Sequence, residues 1–180
     1  MADAAAPGDI TTLAKSLIRD IPDYPQPGVV FKDITPLLAD AAGFAAVVDA
    51  LASGHGPVDK VAGIEARGFI LASPVALRLN AGFVPVRKKG KLPSLTYSQD
   101  YELEYGSATL EVHRDAFAPG ERVLVVDDVL ATGGTARATV DLITMAGASV
   151  AGIVMLMELS FLDGRRKLPP DLDVRSLITV

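Results

Sequence analysis

The sequence predicts a single α/β domain with a central, mostly parallel sheet flanked by helices. Three observations predict it. From about residue 60 onward, apolar runs of strand length alternate with segments of helical periodicity, the pattern of successive βα units. Tyr101–Leu103 and Ala108–Val112 instead alternate apolar with polar residues, as a half-exposed antiparallel pair does. The 180 residues are 49% hydrophobic and 22% charged, which fits one folded domain able to bury a sizeable core.

Taken in order, the alanine-rich start Ala2–Ala6 is expected to fray. Asp9 is placed to cap a helix with apolar positions Ile10, Leu13, Leu17 and Ile21. Ile21–Pro36 is dense in proline and is not regular helix. A helix after Asp40 carries Phe44, Val47, Val48 and Leu51 on one face. Val61–Ile64 reads as a strand and Gly68–Leu79 as a helix, in which Pro74 imposes a kink or caps a late start. Gly82–Val86 and Arg122–Asp127 read as strands. Gly134–Ala146 reads as a helix with Val140 and Ile143 inward, Val150–Glu158 as a buried strand and Val174–Ile178 as the last strand. Ligands of such sheets bind beyond the carboxyl ends of the strands.

Composition removes several classes of function. A formal net charge of −5 disfavours a nucleic-acid partner, which calls for a basic face. The absence of cysteine excludes disulfides, thiolate nucleophiles and Cys–zinc sites. His55 and His113 stand far apart without ligand spacing. The N-terminal stretch is not expected to be a signal peptide, because Asp3 and Asp9 replace the cationic segment. The apolar run near Val150–Met157 is too short to span a membrane, so no membrane partner is expected.

The most informative stretch is residues 123–136, Val-Leu-Val-Val-Asp-Asp-Val-Leu-Ala-Thr-Gly-Gly-Thr-Ala. An apolar strand ends in two acids, Asp127 and Asp128; a loop of small and hydroxyl residues, Ala131, Thr132, Gly133, Gly134 and Thr135, leads into a helix. Glycines let such a loop fold tightly around a ligand. The free N–H groups of the helix start favour an anion, and the threonines add hydroxyl donors. Phosphate donors beside carboxylates that can accept hydrogen bonds from sugar hydroxyls point to a ribose phosphate. The plainer alternative is a glycine-rich turn with a capping Asp.

Other segments suit the same chemistry. Glu65-Ala66-Arg67-Gly68 lies between a strand and a helix, and Arg67 offers a bidentate fork for a diphosphate. Arg87-Lys88-Lys89-Gly90-Lys91 is a basic run just past a strand end, able to neutralise a pyrophosphate or simply to be solvated. It is not a P-loop, since no Ser or Thr follows Lys91. Leu92–Glu104 lacks apolar pattern until Tyr101 and reads as a mobile flap or an edge hairpin. Pro27–Asp33 supplies apolar groups and irregular backbone suited to a flat base, or forms a plain proline-rich arm.

These segments together resemble the type I phosphoribosyltransferases. Ala131–Thr135 is similar to the phosphate loop of the adenine-using members. Pro25–Pro36, Gly63–Phe69, Arg87–Pro93 and Tyr101–Gly106 follow in that family's order and extend the match from Ile18 to Glu158. The resemblance implies that family's fold, one domain over residues 1–180, with an N-terminal arm and base-binding hood over about 1–36 and a flap over about 92–106. It implies transfer of a phosphoribosyl group from phosphoribosyl pyrophosphate to adenine, with these small molecules as partners, in a cytoplasmic homodimer. By resemblance, Glu65, Ala66, Arg67, Arg87, Lys88 and Lys91 hold pyrophosphate, with a non-proline cis peptide at Glu65–Ala66. Val30, Phe31, Lys32 and Leu159 line the base slot, with Lys32 where the family often has Arg. Glu104 and Tyr105 lie in the flap, Glu104 being the candidate acid toward N7. Asp127, Asp128 and Arg67 complete the catalytic set. Mg²⁺ is the implied cofactor, held through substrate and water rather than by direct protein ligands. Transfer to another base, a non-catalytic sensor of phosphoribosyl pyrophosphate and a plain nucleotide-binding domain are the competing readings.

Overall fold

The computed structural model describes residues 7–102 and 106–180. The alanine-rich start and the predicted flap residues Glu104 and Tyr105 lie outside the described residues. The chain divides between Ala50 and Leu51 into two compact units.

The first unit opens with α1 (Pro7–Ser16). The helix starts two residues ahead of the predicted Asp9 cap, because proline is compatible with a first helical turn, where its missing N–H is not needed. It also stops short of Ile21, which lies in a strand. That strand, β1 (Arg19–Ile21), pairs antiparallel with β2 (Phe31–Asp33), Ile21 opposite Phe31. A cis Tyr24–Pro25 bond lies in the connection between them. The proline-rich stretch ends in α2 (Thr35–Ala39), whose Pro36 again occupies the first turn. Asp40 Oδ1 then accepts the Gly43 N–H at 2.7 Å and so caps α3 (Ala41–Ala52), as expected. Val47, Val48 and Leu51 are buried.

The second unit is built on seven strands: β3 (Lys60–Ile64), β4 (Gly82–Lys88), β5 (Thr96–Glu102), β6 (Ser107–His113), β7 (Arg122–Leu130), β8 (Ser149–Glu158) and β9 (Val174–Thr179). Their order is β5-β6-β4-β3-β7-β8-β9. The five strands from β4 to β9 run parallel, while β6 and β5 add an antiparallel edge hairpin. The mostly parallel α/β fold expected from the alternation is therefore the fold observed.

Helix α4 (Arg67–Leu79) carries β3 to its neighbour β4, and α5 (Gly134–Met145) carries β7 to β8 on the other side. Right-handed crossovers in opposite directions put the two helices on opposite faces. Alternating burial agrees. Ala62, Ile64, Val123 and Val125 share a core with Ala136, Val140, Leu142 and Ile143 of α5, whereas position 63 faces Ala72 of α4. The chain turns away from itself between β3 and β7, so this junction is the sheet's switch point.

Three element boundaries differ from expectation. Helix α4 has no late start: it runs unbroken past Pro74, and the carbonyl that proline leaves unbonded belongs to exposed Ile70. Much of the patternless Leu92–Glu104 stretch is strand, because β5 pairs with β6 from Thr96↔His113 to Glu102↔Ser107. Strand β7 continues to Leu130 through its pairing with β8, so Asp127 and Asp128 lie inside its last residues rather than after it. Among the described residues no helix is long and apolar enough to cross a membrane.

Candidate active site

The loop after β7 has the form its sequence implies. Gly133 takes a left-handed conformation (φ 78°) as the N-cap of α5, and no side chain caps the helix. The first-turn N–H groups are thus left for a ligand rather than consumed by a capping oxygen. A small cavity of about 70 Å³ lies here, bordered by Asp127, Ala131, Thr132, Gly133 and Thr135.

The two acids beside it differ. Asp127 Oδ1 accepts the Asp128 N–H at 2.9 Å. Burial, reinforced by the neighbouring Asp128 charge, pushes the Asp127 carboxyl well above the ordinary range. Asp128 is 5% exposed. Burial raises its carboxyl too, and the Arg67 guanidinium opposes that rise. Arg67 Nη2 reaches Asp128 Oδ2 at 2.8 Å as an ion pair, although this buried oxygen accepts no aligned hydrogen bond. That contact ties the loop after β3 to the end of β7, across the switch point.

The Glu65–Ala66 peptide is cis, as the resemblance implied. Glu65 Oε2 accepts from Arg87 Nε at 3.2 Å and from the Lys88 N–H at 3.1 Å. Burial alone would raise this carboxyl; the Lys88 and Arg87 hydrogen bonds and charge outweigh it and hold it below the usual value. Arg87 also donates to the Lys91 carbonyl at 3.1 Å and stands 6.0 Å from the Phe69 ring centroid. The structure therefore brings Glu65, Arg87, Lys88 and Lys91 into one cluster beside Ala66 and Arg67. Buried Glu111 pins the same basic turn, accepting the Gly90 N–H at 2.9 Å and the Ser98 hydroxyl at 3.2 Å.

The candidate base residues are placed as follows. Val30 is exposed, and Phe31 packs edge-on against Tyr24 with centroids 5.2 Å apart. Lys32 Nζ donates to both oxygens of Asp20, at 2.7 and 2.8 Å. All three belong to the first unit. Leu159 belongs to the second, just past the end of β8, where its N–H bonds the carbonyl of Leu130, the last residue of β7, at 2.9 Å.

Sequence reading missed the segment after Leu159. Two short 3₁₀ turns, Ser160–Leu162 and Gly164–Lys167, fold it back so that Gly164 lies against the backbone of Ala131 and Gly133. Asp163-Gly164 signals a turn in the sequence, but nothing local signals what the turn touches.

With this geometry in view, comparison with known proteins is decisive. A family model, the phosphoribosyl transferase domain, matches residues 31–179. The chain belongs to the phosphoribosyltransferase family. Among relatives of this phosphoribosyltransferase is the adenine phosphoribosyltransferase of Acidothermus cellulolyticus, 65% identical over 97% of the chain and 99% of the relative. Among solved structures, the adenine phosphoribosyltransferase of Thermoanaerobacter pseudethanolicus superposes with a TM-score of 0.90 at 50% identity, covering 94% of this chain and 99% of that one. That of Saccharomyces cerevisiae, complexed with an imino-altritol bisphosphate and adenine, gives 0.87 at 35% identity over 94% and 99%.

Proposed function

We infer that the chain is an adenine phosphoribosyltransferase of purine salvage, converting adenine and phosphoribosyl pyrophosphate to AMP and pyrophosphate. The observation that carries the reading is the switch-point cluster: an uncapped helix N-terminus and its glycine loop beside Asp127 and Asp128, with Arg67 ion-paired to the second acid. The named activity of relatives up to 65% identical supplies the base.

In this reading Ala131 to Thr135 anchor the 5′-phosphate through backbone N–H groups and two hydroxyls. Asp127 and Asp128 accept hydrogen bonds from the ribose hydroxyls. The C1–oxygen bond to pyrophosphate breaks with its electron pair leaving on pyrophosphate, C1 bonds to N9 of adenine, and the N9 proton passes to water or the departing pyrophosphate. Positive charge builds on the ribose as the bond breaks, and the ionised acids, whose charge burial disfavours in the free protein, gain an opposite charge to face. Pyrophosphate leaves toward Ala66, Arg67 and the cluster of Glu65, Arg87, Lys88 and Lys91. There Glu65 orders Arg87 and the backbone of Lys88 rather than touching the anion itself.

Mg²⁺ fits this donor set, since hard carboxylate oxygens flank the loop and one of them, Asp128 Oδ2, lacks an aligned hydrogen bond. It would be held mainly by substrate oxygens and water, with Asp127 and Asp128 nearby, and would supply charge neutralisation on the pyrophosphate. Val30, Phe31 and Lys32 of the first unit are assigned to the base, Lys32 through its backbone because its ammonium is engaged by Asp20, and Leu159 of the second unit is likewise assigned to it. Glu104 protonates or hydrogen-bonds N7, and the flap residue Tyr105 helps exclude water. A cytoplasmic homodimer of one-domain chains completes the reading.

The test is product analysis with phosphoribosyl pyrophosphate, Mg²⁺ and each purine or orotate in turn. AMP from adenine alone is expected. Preferred turnover of hypoxanthine or orotate, or binding of phosphoribosyl pyrophosphate without any product, would overturn the assignment.

A further inference from the structure

We propose that Gly164 is a positioning residue for the 5′-phosphate loop, holding the backbone of Ala131 and Gly133 in its anion-binding shape. The proposal rests on the reading of that loop given above. Gly164 follows Ala131 by 33 residues and Gly133 by 31, yet their backbones are in direct contact. A Cβ on Gly164 would collide with the Ala131 carbonyl oxygen and come within 2.8 Å of the Gly133 nitrogen. The reverse is also true, since a Cβ on Gly133 would collide with the Gly164 carbonyl. Gly164 is buried, so neither backbone has solvent to retreat into.

The segment that carries Gly164 is held on several sides. At its start the Leu159 N–H bonds the Leu130 carbonyl at 2.9 Å, and the Ser160 hydroxyl bonds the Val180 carbonyl at 2.8 Å. At its end Leu168 is buried in the α5-side core. Between them Arg165, next to Gly164, donates to Glu158 through Nε at 2.8 Å and Nη2 at 2.7 Å, and to the Val174 carbonyl at 2.6 Å. Glu158 is itself buried at the end of β8 and also accepts the Ser176 hydroxyl at 2.9 Å. A bidentate pair of this kind fixes direction as well as distance. The 3₁₀ segment is thus a rigid buttress, and Gly164 is the point at which it bears on the loop. Because the loop binds its ligand chiefly through backbone N–H groups, with the Thr132 and Thr135 hydroxyls beside them, its backbone shape sets its fit to a tetrahedral anion.

The test compares the full-length wild type with Gly164→Ala and Arg165→Gln. The measurements are KM for phosphoribosyl pyrophosphate, KM for adenine, kcat, the Kd for ribose 5-phosphate and the Tm. For Gly164→Ala, kcat/KM for phosphoribosyl pyrophosphate should fall on the order of 10²-fold and ribose 5-phosphate binding should weaken in parallel, while KM for adenine stays within about twofold. Arg165→Gln frees the buttress without placing an atom in the loop; it should raise KM for phosphoribosyl pyrophosphate by roughly threefold to tenfold. A lower Tm with unchanged kinetic constants in either variant overturns the proposal, because it reports a structural role only. If Gly164→Ala does not fold, Arg165→Gln decides alone. A wild type that makes no AMP and binds no ribose 5-phosphate defeats the functional reading instead, which separates the two failures.

Discussion

Replacing Gly68 with alanine tests whether Asp127 must sit where it does. Gly68 lies in the first turn of α4, and a Cβ there would stand 2.6 Å from Asp127 Oδ1 and 3.1 Å from the Val126 carbonyl oxygen. The Val126 carbonyl belongs to a central strand and cannot yield. Asp127 must therefore retreat about 0.8 Å to reach the 3.4 Å at which ordinary contact begins. A retreat of that size stretches its 2.9 Å hydrogen bond from the Asp128 N–H beyond bonding reach. Overpacking of this kind costs about 1–3 kcal/mol, so the Tm should fall by roughly 2–12 °C for a chain of this size. If Asp127 holds the ribose as proposed, its misplacement should lower kcat by on the order of 10²-fold. The assay is steady-state AMP formation beside thermal melts, with the circular dichroism of the folded variant as control. A variant whose Tm falls as stated but whose kcat stays within about twofold of wild type would refute the link between Asp127's position and turnover.

Asp127→Asn should separate stability from activity. Burial and the Asp128 charge raise the Asp127 carboxyl well above its unfolded value, so the folded state holds the proton more tightly. Wild type therefore loses stability as pH rises from the ordinary carboxylate range through the folded value. Asn, always neutral and still able to accept the Asp128 N–H, does not, so melts should coincide near pH 4 and diverge in the variant's favour as pH rises, while kcat falls. Glu65→Gln has the opposite sign: the depressed folded value of Glu65 contributes stability above the unfolded range that is lost as pH falls through it. The variant's Tm should be about 2–4 °C lower at pH 7, corresponding to about 1 kcal/mol, with the difference vanishing in acid. Asp128→Asn removes the charged partner of Arg67 along with the proposed ribose contact, and should lower kcat about 10²- to 10³-fold in AMP-formation assays.

Periodicity located six strands of the large sheet and both crossover helices and caught only the end of β5, since each of the six buries a face whose spacing is written locally. It misplaced ends wherever a partner strand decides them. Strand β5 is paired over seven residues although Ser98, Gln99 and Asp100 carry little apolar signal, because backbone pairing with β6 requires no hydrophobic face. Strand β7 outlasts its apolar run for the same reason, with β8 continuing beside it to Glu158.

The glycine loop after β7 and the acidic pair were legible from the chain alone, because their signals are local: two glycines, two threonines and two adjacent carboxylates lie within nine residues. Only the tertiary structure decided that Arg67 pairs with Asp128, that Glu65 is absorbed in ordering Arg87 and Lys88, and that Gly164 bears on Ala131 and Gly133. Those contacts join residues tens of positions apart. The parallel sheet brings such distant loops to one edge, and no local pattern records which of them will touch.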